Sequence, residues 1–362
     1  MYKYPVYQPQ MIGNEKKYVV DCLESTWISS KGKYINEFEE KFSEYIGVNY
    51  ATTVSNGTVA IHLAMEALGI GAGDEVIVPT LTYIASVNGI KYSNAVPVFV
   101  DSLENYQMDF RKIEEKISSK TKAIMVVHLY GQMCDMDSIM AIAKKHNLLV
   151  IEDCAEAFGS KYKGQYAGTF GDISTFSFFG NKTITTGEGG MVVSNSLEII
   201  EKARHLKGQG LAKNREYWHD IIGYNYRMTN ICAAIGLAQL ERADEVIAKK
   251  RDIAFWYKEN LKALPLEVLF EEEGTVNSFW MVTIKLENPN ERVALREYLK
   301  ENGVETRPTF YPIHTMPMYN VGEKYDTAEE LGSKGINMPS YPELTHENVL
   351  EITGLIRAYY GN

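Results

Sequence analysis

Residues 171–193 read GDISTFSFFGNKTITTGEGGMVV. From Ile173 to Phe178, β-branched and aromatic residues alternate with Ser and Thr, the period-2 pattern of a strand. Gly180 and Asn181 break that pattern and Lys182 follows on a loop. Thr183, Thr185, Thr186 and a Gly-Glu-Gly-Gly run then lead into a second strand at 191–193. Lysine placed just past a buried strand, among hydroxyls and glycines, is positioned for Schiff-base chemistry. Alone it reads as a solvated loop lysine, because buried lysine is rare.

The order of elements before this stretch decides between the two. Apolar runs at 75–79, 97–100, 123–128 and 148–151 alternate with amphipathic helices predicted over 14–25, 34–46, 84–92, 111–117 and 137–146. The run AIMVVH shows no alternation, as a strand buried on both faces requires. The class is therefore α/β, with a mostly parallel central sheet covered on both faces. Ligands in such sheets sit beyond the carboxyl ends of the strands. Three features share that edge with Lys182. Ser55-Asn56-Gly57-Thr58 joins a strand to a helix start, where free N–H groups and the positive dipole end favour an anion, or where Asn56 simply caps the helix. Tyr83 follows the strand at 75–79. Asp153 ends the strand at 148–151, either as a buried carboxylate in need of a partner or as a helix N-cap.

Composition narrows the partners. A net charge of -10 argues against nucleic acid and anionic membranes. Four scattered cysteines without a C-x-x-C pair fit reduced core residues, with no disulfide frame and no metal site. The N-terminus lacks a signal-peptide pattern and no apolar run approaches the roughly 18 residues of a membrane span, so the cytoplasm is expected. Residues 1–240 are predicted as a large α/β unit, 241–264 as a connecting helix and 265–362 as a smaller α+β unit. The segment 1–30 is expected to pack near the smaller unit. One long helix is predicted over 231–264, a strand over 278–286, a loop over 208–219 and a closing helix over 344–360 with Thr345 as N-cap.

One cofactor needs these parts together. Pyridoxal phosphate has an aldehyde for Lys182, a ring nitrogen for Asp153, a phosphate for Ser55–Thr58 and a flat ring for Tyr83. Dinucleotide binding is a poor rival, because no G-x-G-x-x-G follows a strand.

At these residues the sequence resembles the DegT/DnrJ/EryC1/StrS family of nucleotide-sugar aminotransferases. The resemblance spans nearly the whole chain and rests on STWISSKGKYI, ATTVSNGTVAIHLA, GDEVIVPTLTYIASVN, VIEDCAEAFGS, the quoted stretch, YWHDIIGYNYRMTNICAAIGLAQLE and ETRPTFYPIHTMPMY. It implies the type I (aspartate aminotransferase) fold and pyridoxal 5'-phosphate as cofactor. It implies that Lys182 holds the aldehyde as an imine and then moves the proton, and that Asp153 pairs with the ring nitrogen. Ser55, Asn56, Gly57, Thr58 and Ser177 would surround the phosphate, with Asn225 reaching in from a partner subunit. Tyr83 would stack on one ring face, Ala155 would pack on the other and Glu156 would lie near the ring hydroxyl. Trp27, Ser29, Lys31, Arg215, His219, Arg307, Tyr311 and His314 are candidates for sugar and diphosphate contacts. Arg307 is equally a structural ion pair, and His314 a satisfied loop histidine.

The implied reaction takes an amino group from L-glutamate to C4 of GDP-4-keto-6-deoxy-D-mannose, giving GDP-perosamine and 2-oxoglutarate. A sister branch that removes a 3-hydroxyl has histidine in place of Lys182, so lysine implies transamination. Another UDP- or dTDP-sugar aminotransferase, a sugar dehydratase and a non-catalytic cofactor-binding regulator are the alternatives. A homodimer with shared active sites, or a tetramer, and a role in O-antigen synthesis are expected.

Overall fold

The computed structural model describes residues 2–320 and 322–361; Met1, Val321 and Asn362, which fall within the predicted 1–240 and 265–362 units, lie outside the described residues. Helices and strands alternate first as α1 (Glu15–Glu24), α2 (Lys33–Ile46), β1 (Tyr50–Val54), α3 (Gly57–Leu68), β2 (Glu75–Pro79), α4 (Ile84–Tyr92), β3 (Val96–Val100), β4 (Thr121–Val127), α5 (Met136–His146) and β5 (Leu149–Asp153). A short hairpin, β6 (Lys161–Tyr162) and β7 (Gln165–Tyr166), precedes β8 (Ile173–Ser177), β9 (Gly190–Ser194) and α6 (Leu197–Lys207). The remainder is α7 (Asn230–Leu240), α8 (Ala243–Leu261), β10 (Leu266–Val268), β11 (Thr275–Val276), β12 (Val282–Leu286), α9 (Glu291–Glu301), β13 (Arg307–Pro308), α10 (Asp326–Lys334), β14 (Gly335–Met338) and α11 (His346–Tyr359).

The central sheet has seven strands in the order β1-β9-β8-β5-β4-β2-β3. Its strands are parallel except β9, which runs antiparallel to both neighbours. Alternation along each strand divides the core in two. Val150, Phe176, Met191 and Val193 pack against α2, α5 and α7, while Ile151, Ile173 and Val192 pack against α3, α4 and α6. Aromatic rings lock the first face at the root of the lysine loop. Phe38 lies 5.3 Å from Phe178, and Phe42 lies 5.0 Å from Phe176. A four-stranded antiparallel sheet, β10-β12-β14-β13, builds a third core with α8, α9 and α11.

The mostly parallel α/β sheet agrees with the sequence reading. Several elements do not. The predicted helix at 111–117 is two single 3-10 turns, Phe110–Lys112 and Glu114–Lys116; seven residues are too few for a helix without a packed face. The long helix at 231–264 is broken between α7 and α8. Leu237 and Leu240 face the central sheet and Ile253, Ala254 and Tyr257 face the C-terminal one, so the chain must change direction. The strand predicted from 278 begins only at Val282, because Phe279 has a left-handed φ of 50° that no strand accommodates. At the C-terminus, Thr345 caps α11 in a reciprocal box with Asn348.

Lys250 on α8 is fully buried and donates to Ser340 O at 2.6 Å. Burial lowers its pKa from 10.5 to about 7. Below about 7 the folded protein carries the buried charge; between about 7 and 10.5 only the unfolded chain binds the proton, so this residue's penalty falls as pH rises through that window. Lys250→Met is expected to stabilise the protein by about 1–4 kcal/mol near pH 6, and by less near pH 10, as read from denaturation midpoints at the two pH values.

Candidate active site

A cavity of about 650 Å³ opens at the carboxyl edge of the central sheet. Asn56, Gly57, Thr58, Tyr83, Asp153, Ala155, Glu156, Ser177, Lys182 and Arg307 all line it. Trp280, Phe310 and Asn337 close it from the C-terminal unit.

Lys182 sits on the loop joining β8 to β9. Its N–H bonds Phe179 O at 2.9 Å, which fixes the turn. Its Nζ lies 3.7 Å from Glu156 Oε1 and 3.9 Å from the centre of the Trp280 ring. Burial lowers the lysine pKa and pushes that of Glu156 up to about 7. Their attraction opposes both shifts, and desolvation outweighs it. Burial thus drives both groups toward their neutral forms. Glu156 is held in place by the Tyr130 N–H, which donates to Oε2 at 2.9 Å.

Asp153 ends β5 and faces the cavity, with Oδ2 accepting from Ser86 Oγ at 2.7 Å and Oδ1 from Ala155 N–H at 3.0 Å. Burial raises its pKa, so a cationic partner would restore the carboxylate. Strand alternation sends the preceding Glu152 to the opposite face. There its carboxylate accepts from the N–H groups of Gly168, Phe170 and Gly171 at 2.7–2.9 Å and meets His128 Nε2 at 3.1 Å. Cys154 also approaches His128 and Glu152, but these donors already occupy the carboxylate.

The helix start beside them is built for an anion. Asn56 Oδ1 accepts from Val59 N–H at 3.0 Å and Asn56 O from Ala60 N–H at 3.2 Å. The N–H groups of Gly57 and Thr58, first in α3, are left to a ligand. A Cβ on Gly57 would lie 2.7 Å from Ser177 Cβ, so glycine lets the helix approach β8 closely enough for the serine to complete the cup. Tyr83 stands at the entrance of α4, its ring 5.4 Å from Phe310. Asn181 Oδ1 is buried without a partner in the same cavity. An anion cradle, a carboxylate wanting a cation, a flat aromatic wall and a lysine whose charge burial disfavours fit pyridoxal phosphate in shape and charge.

Other predicted residues lie elsewhere. Ser55 is set just outside the cavity lining, its N–H on Tyr226 O at 2.8 Å. His314, expected at the substrate, is buried outside it: Nδ1 meets Thr80 Oγ1 at 2.6 Å and Nε2 meets Glu329 at 3.1 Å. Both ring nitrogens are used, so it is a strut. Tyr311 is half exposed under Arg292 rather than in the cavity. Trp27, Ser29 and Lys31 lie on the surface, where Trp27 O and Ser29 O accept from Asn230. Arg215 stacks on Trp218 and His219 bonds Gln209 O, both on the loop after α6. Asn225 Oδ1 accepts from Arg227 and does not enter this chain's own cavity. Arg307 is both in the lining and 3.7 Å from Glu305. Sequence reasoning missed Ser86, Asn181, Trp280, Phe310 and Asn337. Only Ser86, one turn past Tyr83 on α4, carried a positional hint.

Fold and site together define a lysine-dependent enzyme of the pyridoxal phosphate class. The family model described as the DegT/DnrJ/EryC1/StrS aminotransferase family matches residues 9–357, and the chain belongs to that family. It is 62% identical over 360 residues to GDP-perosamine synthase of Escherichia coli O157:H7, covering 99% of each chain. It is 53% identical over 362 residues to GDP-perosamine synthase of Vibrio cholerae, covering 98% of this chain and 99% of that one. Among solved structures, the PLP form of the putative sugar aminotransferase Spr1654 from Streptococcus pneumoniae superposes with a TM-score of 0.94 at 29% identity, over 99% of this chain and 98% of that one.

Gly57→Ala is expected to weaken cofactor binding by about 10–100-fold, since the added methyl separates α3 from Ser177 at a cost of roughly 1–3 kcal/mol. Titrating cofactor-free protein and following absorbance checks it.

Proposed function

We propose that the protein transfers the amino group of L-glutamate to C4 of GDP-4-keto-6-deoxy-D-mannose, forming GDP-perosamine and 2-oxoglutarate. The observation that carries this reading is the full-length identity of 62% and 53% to two GDP-perosamine synthases, in a chain whose cavity holds a buried lysine. Bound in the cavity, pyridoxal phosphate would supply an aldehyde that accepts an amino group and a ring that withdraws electrons.

The chain's own residues do the rest. Gly57 and Thr58 N–H and Ser177 Oγ would bind the phosphate. Asp153 would hold a proton on the ring nitrogen, and Tyr83 and Ala155 would confine the ring. Lys182 Nζ, whose charge burial disfavours, would hold the cofactor through its aldehyde and is placed to accept and return a proton. Glu156 exchanges a proton with that amine. Trp280 and Tyr130, stacked with planes 6° apart, exclude water behind it. Glutamate enters first and leaves as 2-oxoglutarate, and the 4-keto sugar enters second. Arg307 at the rim suits an anionic substrate group.

A homodimer, alone or paired into a tetramer, is part of this reading. Tyr217 and Ile222 are more than nine-tenths exposed, and Trp27 and Ile28 are also exposed. Exposed apolar residues on both predicted sugar-contact segments support a partner subunit covering them, with Asn225, Trp27 and Arg215 completing the neighbour's cavity. The cytoplasm and O-antigen synthesis for lipopolysaccharide are the setting this product suits. Among the described residues no helix is long and apolar enough to cross a membrane.

The purified protein, glutamate and the GDP-4-keto sugar should yield 2-oxoglutarate and a 4-amino sugar. A product aminated elsewhere, or equal turnover of UDP- and dTDP-linked 4-keto sugars, would refute the assignment. Lys182→Ala should lower turnover by about 10²–10⁴-fold or more. Glu156 becomes a proton acceptor as pH rises through about 7. The glutamate half-reaction should therefore accelerate across that pH, and Glu156→Gln should flatten the rise in stopped-flow profiles.

A further inference from the structure

The backbone of Lys182 is gripped from outside its own sheet. Tyr7 Oη donates to Lys182 O at 2.5 Å, and Trp280 Nε1 donates to the preceding carbonyl, Asn181 O, at 2.7 Å. Two consecutive carbonyls of the lysine loop are thus held by two side chains from distant segments. Trp280 leads into β12 of the C-terminal sheet. Tyr7 belongs to the N-terminal segment, which is tied to that same unit. Tyr4 N–H donates to Gly303 O at 3.0 Å and Glu305 N–H returns to Tyr4 O at 2.9 Å. Val6 N–H reaches Glu305 Oε2 at 2.9 Å, and Ser340 N–H reaches Val6 O at 3.3 Å. The Tyr7 ring packs against both the central-sheet core and the C-terminal core.

Resting on the reading of Lys182 as the catalytic lysine, we infer that Tyr7 is a positioning residue: its hydroxyl transmits the placement of the C-terminal unit to the lysine through the carbonyl at 182. The loop needs such a grip. Gly180, Gly187 and Gly189 leave its backbone permissive, and its local bonds, among them Lys182 N–H to Phe179 O, Thr186 N–H and Thr185 Oγ1 to Phe178 O and Gly187 N–H to Thr185 Oγ1, tie the loop to itself without holding the carbonyls of 181 and 182. An amine on a four-carbon stem follows its own Cα, and displacements on the scale of 1 Å cost large factors in rate. Tyr7 touches neither the cavity nor the reacting atoms; it acts through Lys182.

The test uses Tyr7→Phe, which removes one hydroxyl and keeps the ring. In the holoenzyme, amide hydrogen exchange over residues 178–189 should quicken by roughly tenfold while α5 exchanges unchanged. The glutamate half-reaction should slow by roughly tenfold with KM for glutamate within about twofold. Unchanged loop exchange would overturn the inference. So would a lowered melting temperature with uniformly faster exchange, the mark of a merely structural tyrosine. Should Tyr7→Phe fail to fold, Glu305→Ala removes the carboxylate that holds Val6 N–H and so loosens the same strap without reaching Lys182. It should quicken the loop's exchange in part, and no change there refutes the transmission. Failure of the aminotransferase reading looks different: the wild type itself would not react with glutamate, while the exchange data would still report on the grip.

Discussion

An amine and a carboxyl 3.7 Å apart, the carboxyl buried and the amine largely so, set the terms for this protein. Ion pairs in such places ordinarily cost more in lost hydration than attraction returns. Lys182 and Glu156 are each driven toward the uncharged form. That state is useful only if neighbours hold both atoms still, which is why the surroundings are so fully bonded. Tyr130 N–H holds the glutamate, Trp280 lies under the amine, and Ser86 and Ala155 orient the next carboxylate. On the other sheet face Glu152 is fully engaged by backbone donors, which fixes the approach to β8.

The seam between the two sheets holds two bulky residues in a sparsely populated backbone conformation. Tyr130 and Phe279, both bulky, have left-handed φ values of 55° and 50°. Such residues persist only where surrounding structure over-determines them, and they concentrate at ligand sites. Each lies beside a residue that shapes the cavity: Tyr130 supplies the N–H for Glu156, and Phe279 precedes Trp280. Two of the chain's left-handed bulky residues thus flank the aromatic wall that shields the lysine.

The sheet and its loaded edge were legible because they depend on local signals. Unbroken apolar runs marked β4 and β5, an Asn-Gly turn marked the start of α3, and Lys182 and Asp153 stood immediately past strand ends. The structure brings these into one cavity because strands of one direction share one edge. What was illegible depends on contacts across long separations. Trp280 and Asn337 come from about a hundred residues or more beyond Lys182 and carry no pattern that points to it. His314 looked like a ligand because its partners, Thr80 and Glu329, are invisible from the sequence around it. The kink between α7 and α8 was hidden because continuous helical periodicity does not say which core each turn faces. Trp27, Arg215 and Asn225 lie outside the cavity of their own chain, and a single sequence does not say which segments the fold carries away from it.

The reversed strand β9 has a consequence for how this site could change over time. Because β9 runs against β8, the residues between them form a hairpin whose two ends are pinned at the same edge of the sheet. A parallel connection would have carried the chain back across a face, where extra residues could be absorbed in a crossover helix. Here the span is fixed by the register of Ser177 with Gly190. Insertions or deletions between these two residues would move the lysine directly. Variation in chain length is therefore free to accumulate elsewhere, as in the loop between α6 and α7, while this hairpin keeps its length and changes only by substitution. Constancy of length at the lysine is thus imposed by the direction of a single strand.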